Sequence, residues 1–258
     1  MNIAHISDLH LIEGTAPVGL TRGDAVARAR RLVADLNACR PALDLVVITG
    51  DNVNDARPGE YAILRDLLAD LTVPFVILPG NHDDRALLRE SFPDQGWADP
   101  ALLFQERIQG PLRLLALDSL DPGRIGGVLE GAQLDWIEDR LARPFAGLTM
   151  IALHHPPLPT RMGALDRNLL DEGAAARLLA AIARLAGPVP VLCGHMHRPF
   201  AILHGNAVIL AATSTAAQFA LEPQGPADPV PVDEPYGYAI HLIGPAPGHV
   251  IHRRFPPL

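Results

Sequence analysis

Three features of the sequence predict an α/β fold. Leu45–Thr49 (LVVIT), Phe75–Leu78 (FVIL) and Val189–Cys193 (VPVLC) are short apolar runs without polar alternation, as in parallel strands covered on both faces. Stretches with leucine, isoleucine and alanine at helical spacing lie between these runs. The runs also end alike, in glycine followed by a residue able to hold a ligand: Gly50-Asp51, Gly80-Asn81 and Gly194-His195. Asp8-Leu9-His10 and His154-His155-Pro156-Pro157 close two further runs without the glycine. Open α/β sheets bind ligands at the carboxyl ends of their strands, where these endings are expected.

In chain order, residues 2–7 form a first strand that delivers Asp8 and His10. Asp24 opens a helix with Ala25, Ala29, Leu32 and Leu36 on one face. Leu45–Thr49 leads into Gly50-Asp51-Asn52-Val53-Asn54, and Leu64, Leu67, Leu68 and Leu71 mark the next helix. Phe75–Leu78 leads into Pro79-Gly80-Asn81-His82-Asp83. Asn after Gly suits a turn, but the Asn-His-Asp run adds a polar cluster that a plain turn does not need. Residues 92–110 are irregular and read as an excursion over one edge, with a hairpin beside the site.

Residues 113–117 return as a strand before Asp118-Ser119, and the loop 121–127 is rich in turn residues. Residues 133–141 read as a helix through Leu134, Ile137 and Leu141, with Trp136 a core or edge aromatic. Strand 148–153 delivers the two histidines, and the two prolines after them stiffen the backbone. Residues 159–170 read as a mobile loop near the site, followed by a helix with Ala175, Leu178, Ile182 and Leu185 on one face. Val189–Cys193 then presents His195 and His197, which at i and i+2 of an extended stretch share one side. Residues 207–212, Tyr238–Ile243 and 250–255 are strand-like, and 222–235 is a Pro-rich loop. His204, His241, His249 and His252 read as outside any metal site. No repeat or linker divides the chain, so residues 1–258 are expected to form one domain.

Composition narrows the function classes. With 48% hydrophobic and 19% charged residues, the chain reads as globular rather than disordered. A net charge of −8 speaks against a nucleic-acid polymer or a membrane surface as partner. It allows a small anionic substrate, because bound cations invert the local field. All basic residues are arginine, which excludes Schiff-base chemistry and a P-loop lysine. There is no G-x-S-x-G for serine catalysis. Cys39 and Cys193 suit a reducing compartment, and a strand starting near Asn2 argues against a signal peptide. No apolar run approaches the ~20 residues of a membrane helix. A soluble cytoplasmic protein is expected, with self-association left open.

The endings supply Asp8, His10, Asp51, Asn81, His154, His195 and His197. Mixed nitrogen and oxygen donors suit manganese, iron or zinc, whereas calcium and magnesium favour oxygen alone. That number of donors exceeds one tetrahedral site and suffices for two ions sharing a bridge. Asp51 is the favoured bridge, since one carboxylate offers two oxygens. Two ions about 3.5–4 Å apart can hold a hydroxide and clamp both reacting oxygens of an in-line phosphoryl displacement. Such a centre keeps a net positive charge that attracts a phosphodiester.

The set Asp8-x-His10, Gly50-Asp51, Gly80-Asn81-His82-Asp83, His154-His155-Pro156-Pro157 and Gly194-His195-x-His197 resembles the calcineurin-like metallophosphoesterase superfamily. Pro58-Gly59-Glu60-Tyr61, Leu117-Asp118-Ser119, Gln133-Leu134-Asp135-Trp136, Ser214-Thr215 and Gln218-Phe219 narrow the resemblance. They are similar to features of bacterial class III cyclic-nucleotide phosphodiesterases and related glycerophosphodiesterases. The resemblance implies a four-layer α-β-β-α sandwich, two mixed sheets flanked by helices. It implies one divalent transition-metal ion on Asp8, His10, Asp51 and His197, and a second on Asp51, Asn81, His154 and His195. His82 would contact the phosphate and act as general acid, and His155 would support the ligands from behind. The substrate implied is a small phosphodiester, with 3′,5′-cyclic nucleotides favoured.

Overall fold

The structure, a computed structural model, describes residues 1–163, 165–222, 228–244 and 248–256. Its strands are β1 (Asn2–Ile6), β2 (Leu45–Thr49), β3 (Phe75–Leu78), β4 (Gln105–Gln109), β5 (Leu112–Ala116), β6 (Leu148–Ala152) and β7 (Val189–Cys193). They continue with β8 (Ala201–His204), β9 (Ala207–Ala211), β10 (Gln218–Phe219), β11 (Pro231–Val232), β12 (Tyr238–Ile243) and β13 (His249–Arg254). The α-helices are α1 (Ala25–Ala38), α2 (Pro58–Ala69), α3 (Arg85–Ser91), α4 (Gly131–Ala142) and α5 (Glu172–Ile182).

Two mixed sheets form, in the orders β13-β12-β1-β2-β3 and β4-β5-β6-β7-β9-β8. In the first, β1, β2 and β3 are parallel; in the second, β5, β6, β7 and β9 are. Alternate residues of each strand enter different cores, as the period of a strand requires. Ala4, Ile6, Val46, Ile48 and Ile77 pack with Leu32, Leu36 and Leu64 of α1 and α2. Ile3, Leu45, Val47, Val76 and Leu78 meet Leu112, Leu114, Ala116, Met150 and Leu192 between the sheets. Leu115, Ile151 and Val191 pack with Ile137 of α4 and Leu178 of α5. The layers are therefore helix, sheet, sheet, helix, as the resemblance implied. Each fully buried Leu, Ile or Val contributes roughly 1.5–3 kcal/mol to holding the layers together.

Helix starts follow local chemistry. Asp84 accepts from the Leu87 amide at 2.9 Å and Asp171 from the Ala174 amide at 3.0 Å. Pro58 opens α2, and Glu60 takes the amides of Asp55 and Arg57 at 2.9 and 3.1 Å, closing the loop after Asp51.

Several expectations change. Residues 92–110 do contain half of a hairpin, β4 pairing antiparallel with β5. Its turn lies between Gln109 and Leu112, at the end of β5 remote from Asp118, so it forms a sheet edge rather than a wall of the site. The Pro-rich stretch 222–235 includes β11, paired with β10; residues 223–227 lie outside the described residues. In the loop 159–170, residue 164 is also outside them. Near it, Asp166 accepts from the Thr160 amide and hydroxyl and the Arg161 amide at 2.7–2.9 Å, tying that loop to itself. Leu185 lies beyond α5 rather than on its face. Among the described residues no helix is long and apolar enough to cross a membrane.

Candidate metal centre

The parallel strands of both sheets end on one edge, where their polar endings meet. The chain turns there sharply: Asp8, His10, Asp51, His195 and His197 all have φ between 42° and 69°. Such left-handed conformations are uncommon for residues with a side chain and gather where a site holds them. Close approach of main chain is also needed. A Cβ on Gly80 would overlap the Asp51 amide and Oδ1, and one on Gly194 would overlap Ser7 Oγ and Asp8 Oδ2. That requirement explains the glycines ahead of Asn81 and His195.

Two donor sets converge. Ligand atoms of Asp8, His10, Asp51 and His197 lie within 4.8 Å of one another. His10 Nε2 is 3.0 Å from His197 Nε2 and 3.4 Å from Asp51 Oδ2. On the other side, Asn81 Oδ1 is 3.2 Å from His154 Nε2 and 3.0 Å from His195 Nδ1. His154 Nε2 is 3.3 Å from Asp51 Oδ2, so this one oxygen faces both sets. Asp51 Oδ1 instead accepts the His82 amide at 2.9 Å. Oδ2 of Asp51 is thus the oxygen aimed at both donor sets, while the turn after Gly80 holds Oδ1.

Backbone carbonyls orient the imidazoles. His154 Nδ1 donates to Thr49 O at 2.7 Å and His197 Nδ1 to Ala217 O at 2.8 Å, which turns each Nε2 inward. Phe219 stacks on His197 with centroids 4.4 Å apart. Asp8 accepts the His195 amide at 3.0 Å. Ser214 Oγ and the Thr215 amide hold the Asp8 carbonyl at 2.9 and 3.1 Å.

The charge balance calls for cations. Burial pushes His195 and His197 down to about 3 and His10 well below its ordinary value, so these imidazoles keep free lone pairs at neutral pH. Burial pushes Asp8 up to about 7. Burial would also raise Asp51, but His154, His82 and His10 hold it well below the carboxylate range. Burial would lower His154, yet Asp51 prevails and pushes it up to about 9. Without an ion, a proton on His154 is thus what balances Asp51. These buried carboxylates have imidazole neighbours, His10 and His154 beside Asp51 and His197 beside Asp8, a mixed donor set that fits divalent transition-metal ions.

His82 lies at the rim. The backbone after Asn81 is a turn, closed from Asp83 N to Gly80 O at 3.2 Å. The His82 ring is exposed, packs edge-on against His10 at 4.7 Å and donates from Nδ1 to Asn54 O at 2.6 Å. Asp83 supports the turn by accepting from the Gly80 and Asn52 amides and from Asn52 Nδ2 at 2.9–3.1 Å. His155 shares the second cluster by distance. Its Nδ1 meets Ser119 Oγ at 2.8 Å and its Nε2 donates to Ile125 O at 3.0 Å, so both nitrogens are committed. His204, His241, His249 and His252 fall outside both donor sets.

The family model for calcineurin-like phosphoesterases matches residues 1–199. The chain belongs to this family. Among calcineurin-like relatives, glycerophosphodiester phosphodiesterase GpdQ of Enterobacter lignolyticus is 33% identical over 228 residues, 84% of this chain and 78% of that protein. The 3′,5′-cyclic adenosine monophosphate phosphodiesterase CpdA of Escherichia coli is 31% identical over 224 residues, 85% and 78% of the two chains. Among solved structures, PhoD superposes with a TM-score of 0.67 at 14% identity, over 98% of this chain and 68% of its own, a likeness of fold.

The remaining family-like motifs turn out to brace the centre. Tyr61 OH accepts the Asp84 amide at 2.7 Å and donates to Asp83 at 3.3 Å. Asp118 takes Arg85 Nε at 2.6 Å and the Leu103 amide at 2.8 Å, and Gln133 clasps the Asp118 main chain with two 2.8 Å bonds. The sequence offered no sign of the carbonyls of Thr49, Asn54 and Ala217, because every residue type presents one.

Proposed function

We propose that residues 1–258 act as one two-metal phosphodiesterase domain for small phosphodiesters, with 3′,5′-cyclic nucleotides preferred. The observation that carries this reading is Asp51 Oδ2, which lies between His10 Nε2 and His154 Nε2 at 3.4 and 3.3 Å. Asp8, His10, Asp51 and His197 would hold one ion; Asp51, Asn81, His154 and His195 would hold the other. Manganese, iron or zinc would supply positive charge for the phosphoryl oxygens and an acidified water as nucleophile.

The chain's own groups do the rest. Thr49 O and Ala217 O fix which nitrogens of His154 and His197 face inward. His82, with Nδ1 committed to Asn54 O, keeps Nε2 to carry a proton to the departing oxygen. Two free buried cysteines, Cys39 and Cys193, support a cytoplasmic setting.

The likeness to GpdQ favours a second reading, glycerophosphodiesters as substrates of the same centre. Purified protein reconstituted with manganese, assayed on cyclic AMP, a glycerophosphodiester and a simple monoester, decides between them. Highest kcat/KM on cyclic AMP supports the first reading, and highest on the glycerophosphodiester supports the second. Cleavage of the monoester alone contradicts both.

A further inference from the structure

His5 lies on β1 in phase with Ile3, facing the apolar layer between the two sheets, and is fully buried. A leucine would fill such a position without the cost of burying an imidazole. What the imidazole adds is a bond: His5 Nε2 lies 3.0 Å from Thr49 Oγ1. Burial pushes His5 down to about 3, so the ring is neutral with one N–H to give. The Thr49 hydroxyl has its own acceptor in Ile6 O at 3.5 Å, which leaves Oγ1 free to accept from His5. On its far side His5 faces the His241 ring at 6.2 Å, and His241 Nδ1 lies 3.0 Å from His249 Nε2.

Thr49 is the residue whose carbonyl orients His154. Thr49 ends β2, in register with Leu78 of β3; the next carbonyl, Gly50 O, accepts the Asp8 amide, and Thr49 O accepts from His154 Nδ1 at 2.7 Å and Ser7 Oγ at 3.2 Å. Directly after it the chain enters the left-handed conformations of Gly50 and Asp51, with φ of 91° and 50°. At this last residue before the left-handed turn, the Thr49 side chain adds a further anchor, its hydroxyl set between His5 Nε2 and Ile6 O. We propose that His5 is a positioning residue for the metal centre: by anchoring the Thr49 hydroxyl it fixes the carbonyl that aims His154. This rests on the two-metal reading, with His154 holding one ion only.

Metal-stripped protein titrated with Mn²⁺ in a calorimeter tests it. The parent chain should bind two ions. His5→Leu, and independently Thr49→Val, which keeps the carbonyl, should each weaken one ion by roughly 10–100-fold and leave the other unchanged, as loss of an outer partner does. His5→Gln should restore both affinities, since its amide N–H can reach Oγ1. The double variant His5→Leu/Thr49→Val should be no worse than either single one, because both remove the same bond. Unchanged affinities, equal weakening of both ions, or additive losses in the double variant would overturn the positioning role. A parent chain that binds fewer than two ions would overturn the two-metal reading itself.

Discussion

The main-chain N–H of His82 donates to Oδ1 of Asp51 at 2.9 Å. One turn thus fixes the carboxylate between the two donor sets and sets an imidazole at the rim. The two roles separate on substitution, since removing the His82 side chain leaves its amide in place. His82→Ala is expected to keep both metals and to lower the rate by roughly 10²–10⁴-fold, the range for a positioned acid. The loss should be greatest for alkoxide leaving groups and smaller for p-nitrophenolate, which departs without a proton. Metal analysis with rates on both substrates checks this; metal loss would make His82 a ligand.

Asp51→Ala removes the oxygen that faces both sets, so metal content should fall at both positions and activity should vanish. His252→Ala, on β13 away from the centre, should change neither. Elemental analysis of the two variants provides the comparison.

Gly80→Ala places a Cβ against the Asp51 amide and Oδ1. Overpacking of this kind typically costs about 1–3 kcal/mol. The midpoint of urea unfolding should drop, and the bound metals should be lost with the displaced carboxylate. An unchanged midpoint and metal content would mean that the turn has room the structure does not show.

Far from the centre, Asp35 on α1 accepts from Arg254 through both oxygens at 2.7 Å and from Tyr238 OH at 2.8 Å, tying the β12–β13 hairpin to the helix. Arg254 holds the Asp35 carboxyl below its ordinary value, against burial and with help from Tyr238. A depressed carboxylate stabilises the fold above its unfolded pKa, near 3.9, and loses that contribution as pH falls through the folded value. Asp35→Asn should therefore cost about 1–3 kcal/mol at neutral pH. The gap in Tm between the two chains should close as pH falls below about 4. A gap independent of pH would point to packing instead.

Much of this architecture was written in residue patterns. LVVIT and FVIL read as buried strands because both faces of β2 and β3 are covered. β8 (AILH) escaped because four residues at a sheet edge are too few to show a strand period, and Leu203 is 79% exposed rather than buried as its type suggests. α3, seven residues long, was too short for a helical period to declare itself. Ligand-type side chains could be named because few residue types serve as donors. Their aim could not, because it depends on left-handed turns at Asp8 and His195 and on carbonyls such as Thr49 O.

Hydrolysis of bis(p-nitrophenyl) phosphate, followed as Mn²⁺ is added stepwise to metal-stripped protein, bears most directly on the two-metal centre. Activity should stay low through the first equivalent of ion per chain and rise as the second binds, reaching a plateau near two. Full activity at one equivalent per chain would contradict it.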